Sequence, residues 1–347
     1  MRHNNTKGDK RCRDESKDTK PYKRVKKMDV KRSNIQMFEI IDAEVIKEPV
    51  RNVVLTDEII IGVVSNYILC YNIEDRQFIR KVEVCDEKNS ITTGFVVSSD
   101  TVLFLTKHST AYIVCLSEGE VIYSFKTEDA TPNMCTDFYH DYLVMCMGHK
   151  IVLYKINVQS IIVREKGAVV GKLHSEVLNS KTVEEITCCD LYIDGLITGS
   201  TTGLLTFYDF SCKSTQIISD EGCTSAVCRI HVLEADPTMA MVQYCDGSLK
   251  KWDFTNKLHD TVQGKKKDGN IIVSEINNFV VTLQTPNITF KFWGLGTLHP
   301  LFTFQIKTEN DKREKLNSIS SIVLSPDESL MSFGSNLDML ILLKITK

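Results

Sequence analysis

The sequence predicts an all-β protein, a single ring of seven four-stranded sheets, or β-propeller. Three observations predict it. Short alternating apolar and polar runs joined by polar turns fill the chain, and one strand ending recurs seven times at a period of about forty residues. No stretch holds a 3.6-residue apolar period for three turns.

The clearest unit is "MVQYCDGSLKKWDF", residues 241–254. An Asp-Gly pair, Asp246-Gly247, between two alternating runs marks a tight hairpin, because the turn needs positive φ and glycine supplies it without steric cost. One hairpin cannot bury its own apolar face, so neighbouring units must cover it. Its ending recurs as "LCYNI", "YIVCL", "VLYKI", "TFYDF", "KKWDF", "KFWGL" and "ILLKI", in which Tyr71, Val114, Tyr154, Tyr208, Trp252, Trp293 and Leu343 are equivalent. The stretch between two such endings holds four strands, for example "QFIRKVEV" (77–84), "ITTGFVV" (91–97), "TVLFLT" (101–106) and "TAYIVCL" (110–116). Repeats of this length with four strands each are the mark of a propeller.

These residues resemble the WD40-repeat family. "YCDGSLKKWDF" matches a repeat ending, "SSIVLSPDESLMSFGS" (320–335) a strand, Ser-Pro-Asp turn and strand, and "ITGSTTGLLTFYDF" (197–210) a third repeat. The resemblance covers residues 35–347 and makes Asp246, Gly247, Trp252, Asp253 and Trp293 structural repeat positions. The Gly-His pair usual in that family is missing; Gly148-His149 lies in a hairpin turn. The hydrogen-bonded tetrad that stiffens a typical blade is therefore expected to be incomplete, with apolar packing in its place. More narrowly, "MDVKRSNIQ" and the acidic connection "EVCDEKNSI" make the first hundred residues similar to the transducin-β-like WD40 proteins of the U3 small nucleolar ribonucleoprotein and small-subunit processome. The second propeller and helical tail of those proteins have no counterpart here.

A ring must close, or its last sheet keeps an open edge. The seventh ending falls almost at Lys347, while a spare alternating stretch, "NIQMFEIID", occupies residues 34–42. The expected organisation is a disordered basic tail over residues 1–33 and a propeller over 34–347, with 34–42 as the outer strand of the last blade.

Hydrophobic residues at 42% and charged residues at 25% of 347 suit a globular core of good size. The net charge of -3 hides an asymmetry: residues 1–33 carry 13 Lys and Arg against 5 Asp and Glu, leaving 29 against 40 for the rest. The tail's clusters, Lys10, Arg11, Arg13 and then Lys20, Lys23, Arg24, Lys26, Lys27, Lys31, Arg32, look like a bipartite nuclear address and would suit phosphate contacts, with Tyr22 available for stacking. A solvated terminus without a partner is the plain alternative. No secretory signal opens the chain and the apolar runs are far short of a membrane span, so a soluble protein from a reducing compartment is expected. Accordingly Cys70, Cys115, Cys146, Cys188 and Cys245 are read as free, buried thiols, and the twelve cysteines as no disulfide framework.

Extra length is expected on one face, in the connections that follow a unit's outer strand: "VREKGAVVGKLHSEVLNSKTVEE" (163–185), "GKKKDG" (264–269) and "KTENDKREKLN" (307–317). Lys172, His174, Lys181, Lys265, Lys266, Lys267, Lys312, Arg313 and Lys315 are the candidate partner-binding residues there, since loops on a rigid ring are the usual binding arrangement. Loop growth without a partner is the alternative. "KLHSEVLNSK" is read as a turn or two of helix.

No catalytic, cofactor-binding or metal-ligating residue is assigned. "TGSTTG" (198–203) has hairpin glycines without a Walker lysine, no zinc spacing occurs, and Cys188-Cys189 is read as strand packing. His108, His140 and Ser200 are read as turn or surface residues rather than a triad. The expected function is a non-enzymatic protein-interaction scaffold in a nuclear, and within the nucleus nucleolar, ribonucleoprotein assembly such as ribosome biogenesis. Its partners would be proteins of a multi-subunit complex, with RNA reached through the tail and neither membrane nor small-molecule substrate. The alternative is a cytoplasmic adaptor of a ubiquitin ligase or vesicle coat.

Overall fold

The computed structural model describes residues 35–40, 49–127, 134–156, 174–179, 184–218, 224–256, 258–263, 268–284, 289–305, 319–335 and 339–345. These form seven four-stranded antiparallel sheets and no helix. Blade 1 is β2 (Asn52–Leu55), β3 (Ile59–Val63), β4 (Tyr67–Asn72) and β5 (Phe78–Glu83); blade 2 is β6 (Ile91–Ser98), β7 (Thr101–Thr106), β8 (Thr110–Cys115) and β9 (Glu120–Lys126). Blade 3 is β10 (Cys135–Tyr139), β11 (Tyr142–Met147), β12 (Lys150–Lys155) and β13 (His174–Asn179); blade 4 is β14 (Ile186–Tyr192), β15 (Gly195–Ser200), β16 (Leu205–Asp209) and β17 (Ser214–Ile218). Blade 5 is β18 (Val227–Val232), β19 (Met239–Tyr244), β20 (Ser248–Asp253) and β21 (Leu258–Gln263); blade 6 is β22 (Asp268–Ser274), β23 (Phe279–Gln284), β24 (Thr289–Gly294) and β25 (Pro300–Gln305). Blade 7 joins β26 (Ile319–Leu324), β27 (Leu330–Ser335) and β28 (Met339–Ile345) to β1 (Ile35–Ile40), the N-terminal strand. The expected closure is therefore present: β1 runs antiparallel to β28, from Ile35 opposite Ile345 to Ile40 opposite Leu340.

All seven equivalent positions of the recurring ending fall on the third strand of their blade. Six of them are buried, and Trp293 is partly so. The reason lies between blades. Successive strand residues point to opposite faces, and both faces of a blade are covered by neighbours. Val53 and Leu55 pack toward blade 7 with Leu340 and Leu342, while Val54 packs toward blade 2 with Phe104 and Val114. Each of the seven apolar clusters fills one seam. This is why inner segments such as "TVLFLT" read as unbroken apolar runs and are buried at every position.

Both tryptophans of the recurring ending bond to the neighbouring second strand of their own blade. Trp252 Nε1 donates to the Tyr244 hydroxyl at 3.3 Å and Trp293 Nε1 to Thr282 Oγ1 at 3.0 Å. In the Asp-Gly turn Gly247 takes φ +89°, and Asp246 Oδ1 accepts both the N–H and the hydroxyl of Ser248. Asp253 caps the next hairpin by accepting the N–H groups of Thr255 and Asn256.

Three expectations are corrected. Residues 174–179, expected to lie in a connection and to turn as helix, are the outer strand of blade 3, paired to β12 from Lys155 opposite His174 to Lys150 opposite Asn179. A three-stranded blade would leave β12 with a row of unpaired main-chain groups, and this segment covers it. The extra length of this unit therefore precedes the outer strand instead of following it. Thirdly, Cys245 is neither buried nor free: it is exposed and forms a disulfide with Cys228, across β18 and β19, at a Cα separation of 5.7 Å. It stands just past the end of β19, where the chain has left the covered part of the sheet.

Candidate functional site

Antiparallel pairing puts the turns between first and second strands, and between third and fourth, on one face of the ring. The connections between blades lie on the other. The first-strand ends of blades 3 to 6 converge on the hairpin face, and carboxylates stitch them together there. Asp137 on β10 accepts the N–H of Leu191 on β14 at 2.6 Å, and Asp190 on β14 accepts that of Val232 on β18 at 2.5 Å. From blade 6, Glu275 accepts the N–H groups of Glu234 and Ala235 in blade 5, at 2.6 and 3.0 Å. From blade 7, Glu328 accepts those of Glu275 and Ile276, at 3.1 and 2.8 Å.

These groups face one another, which sets their protonation. Burial and the neighbouring Asp190 charge hold the Asp137 carboxyl well above the usual carboxylate range. Burial likewise pushes Asp190 up to about 6, against the pull of His231 and the Val232 N–H. Burial alone would lower His231, but the link to Glu275 and the Asp190 charge outweigh it and favour the imidazolium. His231 Nε2 lies 3.6 Å from Glu275 Oε1, and the Glu275 carboxyl is correspondingly held low despite its desolvation.

The strand ends enclose a recess of about 250 Å3, walled by Asp137, Tyr139, Asp190, Tyr192, His231 and Glu234. A second, of about 300 Å3, lies beside it against Phe207, Asp209 and Phe254, and the two share Tyr192 and Pro237. Ile193 and Ile276, at turn tips on this face, are 67% and 58% exposed.

Deeper in the seam between blades 3 and 4, Cys135, Cys146 and Cys189 bring their sulfurs within 4.8 Å of one another. Cys135 and Cys146 are directly opposite on β10 and β11, and Cys189 reaches back from β14. Bonds from the Cys146 and Cys189 thiols hold the Cys135 thiol well below its usual range. Cys188 points the other way, into the seam with blade 5 beside Gly199 and Val227. The expected packing role thus describes Cys188, while Cys189 joins a thiol cluster.

The candidate residues of the basic tail lie outside the described residues, as do Lys172, Lys181, Lys265, Lys266, Lys267, Lys312, Arg313 and Lys315; His174 is on β13. His140 stands in a turn on the hairpin face, whereas His108 and Ser200 belong to second-to-third-strand turns on the opposite face, so they do not meet. Ser200 and Thr202 instead donate to Glu184. The carboxylate site was readable in one signal that repeat alignment by strand endings passes over: "CTDFYHD" (135–141) and "CCDLYID" (188–194) share Cys-x-Asp-x-Tyr-x-Asp. The thiol cluster carries no such signal, because its members come from three strands and two blades.

No family profile and no curated protein matches this chain. Solved structures do resemble it in fold. A chain of the mitotic checkpoint complex superposes with a TM-score of 0.69 at 10% identity, covering 94% of this chain and 100% of that one. Raptor from Chaetomium thermophilum gives 0.69 at 10% identity over 86% of this chain and 28% of its own. The computationally designed Ika8 protein gives 0.61 at 13% identity over 86% and 97%. At such identities the likeness is one of fold, the seven-bladed β-propeller.

Proposed function

We propose that this protein is a non-enzymatic interaction scaffold whose hairpin face, at blades 3 to 6, receives a basic segment of a protein partner. The observation that carries this reading is the acidic, aromatic-walled recess with exposed Ile193 in its lining. Carboxylates at the floor and tyrosines at the wall suit an arginine or lysine side chain with its apolar stem. The carboxylates are already engaged with main-chain N–H groups, which makes them fixed acceptors rather than reacting groups. One similar fold is a chain of the mitotic checkpoint complex, and membership of a multi-protein assembly agrees with that likeness.

The basic clusters between Lys10 and Arg32 support a nuclear placement, and a ribonucleoprotein assembly of ribosome biogenesis in the nucleolus is the setting that would use phosphate contacts as well. Affinity purification tests both parts, using the full chain, a chain lacking residues 1–33, and an Ile193→Lys variant, at two salt concentrations with and without ribonuclease. The expected result is a set of nucleolar assembly proteins lost from the Ile193→Lys variant, with pre-ribosomal RNA lost from the truncated one. A ubiquitin-ligase or coat complex, retained by every variant, would overturn the nuclear reading and the recess together.

A further inference from the structure

We propose that Cys135, Cys146 and Cys189 form a binding site for one thiophilic metal ion, copper(I), bridging blades 3 and 4. Three sulfurs within 4.8 Å of one another need only a small contraction to surround an ion, since metal–sulfur bonds of about 2.3 Å place the sulfurs of a trigonal set roughly 4 Å apart. The ligand atoms are all soft, and soft thiolates favour copper(I) and zinc over the hard biological cations. Among the described residues no histidine, carboxylate or fourth cysteine joins the set, so the tetrahedral shell preferred by structural zinc is not supplied.

The placement is that of a held site rather than a reactive thiol. Cys146 is fully buried, Cys135 and Cys189 are partly so, and Val144, Ile186, Leu191 and Leu196 pack around them. β10 and β14 are the innermost strands of their blades, so the two partly buried thiols offer an approach from the ring's axis. Arg229 on β18 acts electrostatically on Cys135 and offsets the negative charge of a metal–thiolate centre. Binding forms three metal–sulfur bonds and releases to solvent whichever protons the three sulfurs carry, so affinity rises with pH until they are lost. No oxidation or reduction is involved, the ion entering as copper(I).

The test uses the full chain, purified anaerobically with reductant and titrated with copper(I) against a chromophoric copper(I) chelator. One ion per chain and a shell of three sulfurs by X-ray absorption are expected. Cys135→Ser and Cys189→Ser should each weaken retention by roughly a hundredfold, and Cys212→Ser, at an exposed thiol, should leave it unchanged. Circular dichroism separates loss of the site from loss of the fold, and the unaltered chain should show a higher unfolding midpoint with copper(I) than without. Failure to retain copper(I) against the chelator, retention undiminished in both serine variants, or a Cys135–Cys146 disulfide under the same reducing conditions would overturn the proposal.

Discussion

The Asp137 carboxylate, on the innermost strand of blade 3, accepts the main-chain N–H of Leu191 on the innermost strand of blade 4, and Asp190 repeats the bond to Val232 one blade further on. Main-chain groups at the inner edge of a propeller have no ladder partner on the axial side, and these side chains supply one. Burial and the neighbouring Asp190 charge hold the Asp137 carboxyl above the usual carboxylate range, and the bond fixes it as an acceptor for Leu191. Asp137→Ala should cost about 1–3 kcal/mol by stranding a buried N–H, whereas Asp137→Asn keeps an acceptor oxygen and should cost less than half as much. Denaturant unfolding of the two variants checks this, and equal losses would mean the bond itself contributes little.

The His231–Glu275 pair makes stability depend on pH. The raised His231 value gives a contribution that is whole below about pH 6.5 and fades as pH rises through the folded-state value. The lowered Glu275 value gives one that is whole above about pH 4.5 and fades in acid. Asp137 on β10 and Asp190 on β14 face His231, Glu234 stands beside it, and Asp190, raised to about 6, adds a loss of stability as pH rises toward 6 that works against the Glu275 contribution. The difference in unfolding midpoint between the unaltered chain and Glu275→Gln, which keeps an acceptor for the Glu234 and Ala235 N–H groups, should therefore be largest between pH 5 and 6.5 and shrink by pH 9. A flat difference across that range would remove the ion pair from the account.

Closure separates two truncations. Removing residues 1–33 leaves β1 in place on β28 and should not shift the unfolding midpoint. Removing 1–42 leaves β28 as an open edge and should lower stability by roughly 2–4 kcal/mol, after the ordering entropy of the strand is set against its ladder bonds. Soluble yield and elution as larger species report the exposed edge. Identical behaviour of the two chains would show that β1 does not lock the ring.

Blades 4 and 5 meet so closely at Gly199 that a Cβ there would stand 2.6 Å from Cβ of Val227 and 2.9 Å from the sulfur of Cys188. Gly199→Val should destabilise by roughly 1–3 kcal/mol through overpacking, and adding Val227→Ala, which removes the facing Cγ1 but keeps Cβ, should recover only a small part of that loss. A double-mutant cycle by thermal unfolding measures the coupling. Additive losses would place the strain elsewhere.

The sequence by itself determined the number of blades, the third-strand position of every repeat ending and the N-terminal strand that closes the ring. Each of these rests on a pattern local to one strand or hairpin: alternation, an Asp-Gly turn, a recurring ending such as "KKWDF". Tertiary structure alone decided what covers an edge, pairs a cysteine or crosses a seam. Residues 174–179 became a strand because β12 had an edge to cover, and Cys245 found Cys228 just beyond the end of β19. Cys135, Cys146 and Cys189 lie 11 and 43 residues apart in the chain and meet only because alternate residues of adjacent blades point into the same seam. The same geometry sets Asp137 and Asp190 against His231, so the chemistry of the site depends on the packing angle between blades, a quantity that no single strand encodes.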